Sequence, residues 1–144
     1  MWLITTWPIL TNLEQKCWLM SSVDWSRLES TLASAPRVVA AWVFGSAQGG
    51  QIKPGSDVDV GVLFESKPSL AELLELTGAL QQAVPSAEID LVPLNDANPI
   101  LRFEAISGRA IFCRDAGRRA EFASLTAREY EDEMAMIERW VRMK

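Results

Sequence analysis

An α/β fold is what the amino-acid sequence predicts, and three observations carry that prediction. Two stretches, Val38 to Phe44 and Asp57 to Phe64, read as buried or half-buried strands. Segments with helical spacing of apolar residues alternate with the strand-like ones. Pro, Gly and Asn stand at the joints between them. Such alternation is the pattern of helices packed on a sheet.

The elements follow in order. Val23 to Ala35 reads as a helix with Val23, Leu28 and Leu32 on one face, and Pro36 ends it. Val38 to Phe44 (VVAAWVF) is apolar at every position, as expected of a strand covered on both faces. Gly45-Ser46 follows at once, and Gln48 to Ser56 (QGGQIKPGS) reads as loop. Asp57 to Phe64 is a second strand. Ser69 to Val84 is a helix with Leu70, Leu73, Leu74 and Leu80 roughly in phase. Glu88 to Leu94 is a third strand. Asn98-Pro99 is a cap followed by Pro at the first helical position, and Gly108 stops that helix. Arg109 to Cys113 is a short fourth strand. Phe122, Leu125, Tyr130, Met134, Ile137 and Val141 mark a long terminal amphipathic helix.

Composition narrows the function. The 144 residues suit one domain, and 49% hydrophobic content is that of a folded chain. No apolar run is long enough to span a membrane. The net charge of −5 lacks the electrostatic footprint of a nucleic-acid binder, so no direct nucleic-acid partner is expected. Nine of the fourteen Lys and Arg nonetheless fall between Arg102 and Lys144, which would give a local basic face. Two cysteines, Cys17 and Cys113, make no disulfide framework, and a reducing cytoplasm is the expected location. The chain has no histidine, which excludes Ser-His and Cys-His catalysis and imidazole zinc sites. Acid-base or metal chemistry must run on carboxylates, Lys, Tyr or thiols. Residues 1–19 hold three of the six Trp and only two charged residues. They read as an N-terminal extension, with the domain running over 20–144.

The chemistry concentrates between Val43 and Phe64. Strand side chains alternate with period two, so Asp57 and Asp59 share one face and Val58, Val60 and Val62 the other. The valine face suits a core. Two neighbouring carboxylates repel, and one takes up a proton unless a cation lies between them. Mg²⁺, hard and oxygen-seeking, is the natural cation. Gly45 lets the backbone approach a phosphate, and a turn leading into a helix N-terminus points N–H groups at anions. The Ser46 hydroxyl adds a hydrogen bond. Gly45, Ser46, Asp57 and Asp59 are therefore the candidate nucleotide-binding residues. Singly, Gly-Ser reads as a turn and Asp-x-Asp as a solvated strand end; the ordered combination is far more specific.

Gly45-Ser46, ten residues, then Asp57-Val58-Asp59 before an apolar strand resembles the DNA polymerase β-like nucleotidyltransferase superfamily. It is most similar to the minimal nucleotidyltransferase (MNT) family, which includes MntA-type antitoxins. Ser56 fits the usual Ser-Asp-x-Asp, and the stretch from Asn98 to Asp115 also resembles the family. Gln48 departs from it, standing where Ala is usual. The resemblance implies a mixed, mostly antiparallel sheet backed by helices on one side. It implies a third carboxylate on the next long strand. Asp90 fits that place, and Glu88, on the same strand face, is the second candidate. Asp57, Asp59 and Asp90 are then the implied catalytic and metal-binding set, with Mg²⁺ as cofactor and ATP as substrate. The implied partner is a HEPN-domain toxin ribonuclease, to which AMP is transferred on a tyrosine, within a homo- or hetero-oligomer. The alternatives are a non-catalytic antitoxin that neutralises by complex formation, and a small-molecule nucleotidyltransferase of the aminoglycoside type. Arg102 and Arg109 are read as phosphate contacts or as partners of Glu104, Asp115 and the last helix's glutamates, and Tyr130 as a packing residue.

Overall fold

The computed structural model describes residues 21–143 except Pro54. The expected extension over 1–19, and with it the boundary at Met20, lies outside the described residues. In chain order the elements are β1 (Ser21–Ser22), α1 (Trp25–Ala33), β2 (Val38–Phe44), a 3-10 turn (Gly45–Ala47), β3 (Gln51–Ile52), β4 (Asp57–Phe64), α2 (Leu70–Ala83), β5 (Glu88–Pro93), α3 (Pro99–Ile106), β6 (Arg109–Cys113) and α4 (Ala116–Arg142). The mixed α/β class is as expected. The main sheet has the order β5-β4-β2-β6. β2 pairs antiparallel with β4 and with β6, while β4 and β5 run parallel.

All seven residues of β2 are buried because helices cover both faces of the sheet. Val38, Ala41 and Val43 pack with Leu28 and Leu32 of α1 and Leu76 and Leu80 of α2. Val39, Ala40, Trp42 and Phe44 pack with Ala105 of α3 and, from α4, with Phe122. An irregularity in the pairing between Val38 and Ala40 explains why the two faces do not alternate strictly. The one-sided helical layer implied by the family resemblance is thus corrected: a strand apolar at every position needs a cover on each side. Fully burying each Leu or Val here contributes about 1.5–3 kcal/mol.

Local signals set the helix ends. Asp24 caps α1, its carboxylate accepting from the Arg27 N–H at 3.2 Å. Val23 therefore lies before the helix, buried, and donates its N–H to the Gly50 carbonyl at 2.8 Å. Ser69 caps α2 and Asn98 caps α3. The buried face of α2 is Leu76, Leu80 and Ala83. Leu70 and Leu74, expected in phase with that face, are 72% and 65% exposed. Gly61 on β4 lets α3 approach closely, since a Cβ there would lie 3.1 Å from that of Ala105. That contact seats α3 on the aspartate-bearing face of the sheet.

Candidate active site

The site is built at one end of β4 and β5. Val58, Val60 and Val62 belong to the core shared with α1 and α2. Strand alternation turns Asp57 and Asp59 to the opposite face, that of α3 and α4. β5 brings its own acids alongside in parallel register, with Asp57 opposite Glu88 and Asp59 opposite Asp90. Four carboxylates thus stand at the same end of two adjacent strands. Asp57, Glu88 and Asp90 are exposed, and Asp59 is half-buried.

Asp59 is where the charges are felt most. Its carboxyl is held above its ordinary value of 3.8, first by burial and then by the negative charge of Asp90 and that of Asp57. A side-chain hydrogen bond with Asp90 and the charge of Glu104 act in the same direction. Asp59 is therefore the carboxylate at which a bound cation would relieve the most repulsion. Asp90 lies directly opposite Asp59, whereas Glu88 lies opposite Asp57, which distinguishes the two.

Gly45 closes the other side. Phe44 pairs with Asp59 across β2 and β4, so the turn after Phe44 folds against the aspartate. Gly45 has φ +73°, and a Cβ on it would lie 2.5 Å from the Asp59 Oδ2. Only glycine fits that backbone conformation and that approach. The helix N-terminus to which the turn leads is that of a single 3-10 turn, Gly45–Ala47, with loop after it as expected. Its first N–H groups still lack acceptors within the turn, but no long helix dipole stands behind them.

The donor set fits a hard divalent cation. It consists of carboxylate oxygens from Asp57, Asp59 and Asp90, the Asp59 carboxyl being raised by burial and by its two acidic neighbours. Among the described residues, however, no three His, Cys, Asp or Glu side chains are gathered closely enough to hold a metal ion as they stand. Asp57 and Asp90 are exposed, and a change of side-chain rotamer is what ligation by all three carboxylates would require.

Beside this end of the sheet lies a hollow of about 570 Å³ lined by Gly45, Gln48, Ile100, Phe103, Glu104, Ser107 and Tyr130. Phe103 and Tyr130 stack face to face, with centroids 3.9 Å apart and planes 9° from parallel. Tyr130 is a packing residue as expected, but it also walls a cavity. Sequence reasoning missed Glu104 as a neighbour of Asp59. Its position at i+4 from Ile100 on one face of α3 was legible; that α3 lies over the aspartates was not. A second hollow, of about 550 Å³, lies between α1 and α2 and includes Arg27, Arg37 and Glu72. It is bounded by helices of the opposite sheet face, away from the aspartates.

The arginines do not converge on the site. Arg102 pairs with Glu129 at 3.4 Å and donates to the Leu94 carbonyl at 2.8 Å. Arg109 lies over the Trp25 ring at 4.0 Å. Arg114 donates to the carbonyls of Ala33, Ala35 and Val38, and Arg118 to that of Glu65. Four of the nine residues expected to form a local basic face are thus held in structural contacts instead. No helix among the described residues is long and apolar enough to cross a membrane.

Comparisons with known proteins agree with this fold. The family model described as polymerase beta, nucleotidyltransferase, matches residues 26–117. A chain in a solved toxin–antitoxin structure with AMP-PNP is similar at 23% identity and TM-score 0.69, over 83% of this chain and 96% of that one. A chain in the complex of a tri-AMPylated Shewanella oneidensis HEPN toxin with MNT antitoxin is similar at 20% identity and TM-score 0.65, over 82% of this chain and 92% of that one. A structure described as a minimal nucleotidyltransferase is 30% identical at TM-score 0.51, over 60% of this chain and 88% of that one. No curated protein sequence matches the chain.

Proposed function

Because the chain belongs to the polymerase β nucleotidyltransferase family, we propose that it transfers AMP from ATP to a tyrosine of a partner HEPN-type toxin and acts as that toxin's antitoxin. The observation that carries the reading is the meeting of Asp59, Asp90 and the Gly45 turn at one strand end, with the Asp59 carboxyl raised by burial and then by the charges of Asp90 and Asp57. Asp57, Asp59 and Asp90 would hold Mg²⁺, which when bound neutralises charge on the nucleotide's phosphates. Gly45 and Ser46 receive the β- and γ-phosphates through backbone N–H groups and the Ser46 hydroxyl. Asp90 accepts the proton of the incoming tyrosine hydroxyl. The tyrosine oxygen then bonds to the α-phosphorus, the bond from that phosphorus to the bridging oxygen breaks, and pyrophosphate leaves.

Support for a protein acceptor comes from two sides. Structures of the same fold include one with AMP-PNP and one with an AMPylated HEPN toxin. On the last turns of α4, Met134, Ile137 and Val141 are 38%, 41% and 65% exposed at helical spacing, an apolar row of the kind that marks interaction surfaces. The test is to mix the purified pair with Mg–ATP and weigh the toxin by intact-protein mass spectrometry. Added AMP masses that vanish with the Asp57→Asn/Asp59→Asn variant are expected. An unmodified toxin whose ribonuclease activity is still blocked by that variant would refute transfer and leave neutralisation by complex formation.

A further inference from the structure

We propose that the hollow beside the Gly45 turn seats the base of the donor nucleotide, with the Phe103–Tyr130 stack as its wall and Gln48 and Ser107 at its edge. The inference rests on the nucleotidyltransferase reading and adds to it the residues that recognise the nucleoside.

Position comes first. Gly45 belongs both to the turn that faces Asp59 and to the lining of the hollow. A ligand whose phosphates lie on the turn can therefore extend into the hollow without crossing open solvent. Ile100, Phe103, Glu104 and Ser107 recur at i, i+3, i+4 and i+7, so one face of α3 forms the floor and Tyr130 of α4 completes it. Ala105, next to Glu104 on α3, packs at Gly61 of β4, which ties the floor to the aspartate-bearing face of the sheet.

Chemistry comes second. The seven lining residues include no Lys and no Arg, so the hollow is not built for phosphate. It offers two aromatic rings, an aliphatic side chain, an amide, a hydroxyl and a carboxylate. That set suits a flat, uncharged heteroaromatic ligand bearing N–H groups: the open face of the stacked pair takes its ring, and Gln48, Ser107 and Glu104 meet its polar edge. About 570 Å³ lies within the range of small-ligand sites. A purine is favoured over a pyrimidine because its larger face stacks over more area.

Direction comes third. In an in-line transfer the acceptor approaches opposite the leaving phosphates. The leaving phosphates lie at Gly45, which borders the hollow, so the acceptor enters from the other side, toward Asp90.

The test is calorimetric titration of the full chain with ATP, UTP and inorganic tripolyphosphate, each with Mg²⁺, for wild type, Tyr130→Leu and Phe103→Leu. Wild type should bind ATP more tightly than UTP. Each leucine variant should weaken ATP about tenfold, the scale of one lost base–aromatic stack, because one ring carries the base and the other holds that ring in place. Tripolyphosphate affinity should stay unchanged, which also reports that the variants remain folded. Unchanged ATP affinity overturns the base seat. So does a parallel loss of ATP and tripolyphosphate affinity. Tyr130→Leu raising the KM for the protein acceptor without altering ATP binding would make the hollow an acceptor site and overturn the proposal. Wild type binding tripolyphosphate as tightly as ATP removes the base seat and spares the phosphate turn. Binding of neither ligand defeats the nucleotide reading itself, and the seat with it.

Discussion

Asp59→Asn reads the charge at the site directly. The folded chain binds the Asp59 proton more tightly than the unfolded chain, because burial, then Asp90, then Asp57 raise its carboxyl above 3.8. As pH rises past that ordinary value the unfolded state gives up the proton first. Stability therefore falls as pH climbs through the raised folded value, and the full deficit is present above it. Asparagine keeps the shape and removes the charge that faces Asp90 across β4 and β5. Cross-strand pairs contribute roughly 0.2–1 kcal/mol, with like charges destabilising. In chelator near neutral pH the variant should thus be more stable than wild type by about 0.5 kcal/mol, a Tm about 2 °C higher. Its stability should also fall less steeply as pH rises from the acid side. Mg–ATP should reverse the order, because mass action stabilises only the chain that binds, by about 2.7 kcal/mol at one hundred times Kd. Urea unfolding across pH, with chelator and then with saturating Mg–ATP, measures both effects. A variant less stable than wild type in chelator, or stabilised equally by Mg–ATP, would refute the account of Asp59 as an unneutralised ligand.

Two further outcomes are expected. Gly45→Ala forces a Cβ onto a backbone at φ +73° and to within 2.5 Å of the Asp59 Oδ2; the backbone strain alone costs about 1–2 kcal/mol. Urea unfolding should show that loss, and calorimetry should show Mg–ATP affinity down at least about tenfold; wild-type affinity would argue that the turn does not face the nucleotide. A chain beginning at Met20 should fold and bind Mg–ATP as the full chain does, since residues 1–19 supply none of the candidate site; loss of soluble protein would show that the extension packs on the domain.

The sequence made the sheet legible where side-chain pattern alone decides it. β2, β4 and β6 have the expected bounds because VVAAWVF and the aspartate-led run DVDVGVLF are unambiguous, and Gly108 fixes where β6 begins. The pairing of Asp59 with Asp90 required topology: only the parallel arrangement of β4 and β5 sets their register. β1 and β3 were invisible, since two-residue strands carry no period and exist through their mutual pairing of Ser21 with Ile52 and Ser22 with Gln51. The buried face of α2 was misjudged because its leucines occupy more than one face. Only packing against β5 and α1 selects Leu76 and Leu80 over Leu70 and Leu74. Gln48 stood out in the sequence as a departure from the family pattern. Its membership of a cavity with Phe103 and Tyr130, more than fifty residues away, depends on where α3 and α4 fold back.

The central claim is transfer at the α-phosphate, and isotope position tests it most directly. The purified chain and its partner toxin are incubated with Mg²⁺ and ATP labelled either at the α- or at the γ-phosphate. The account predicts label on the toxin from α-labelled ATP alone, with the γ-label recovered in pyrophosphate. Toxin labelled from the γ-position would mean phosphoryl rather than nucleotidyl transfer, and would contradict the account.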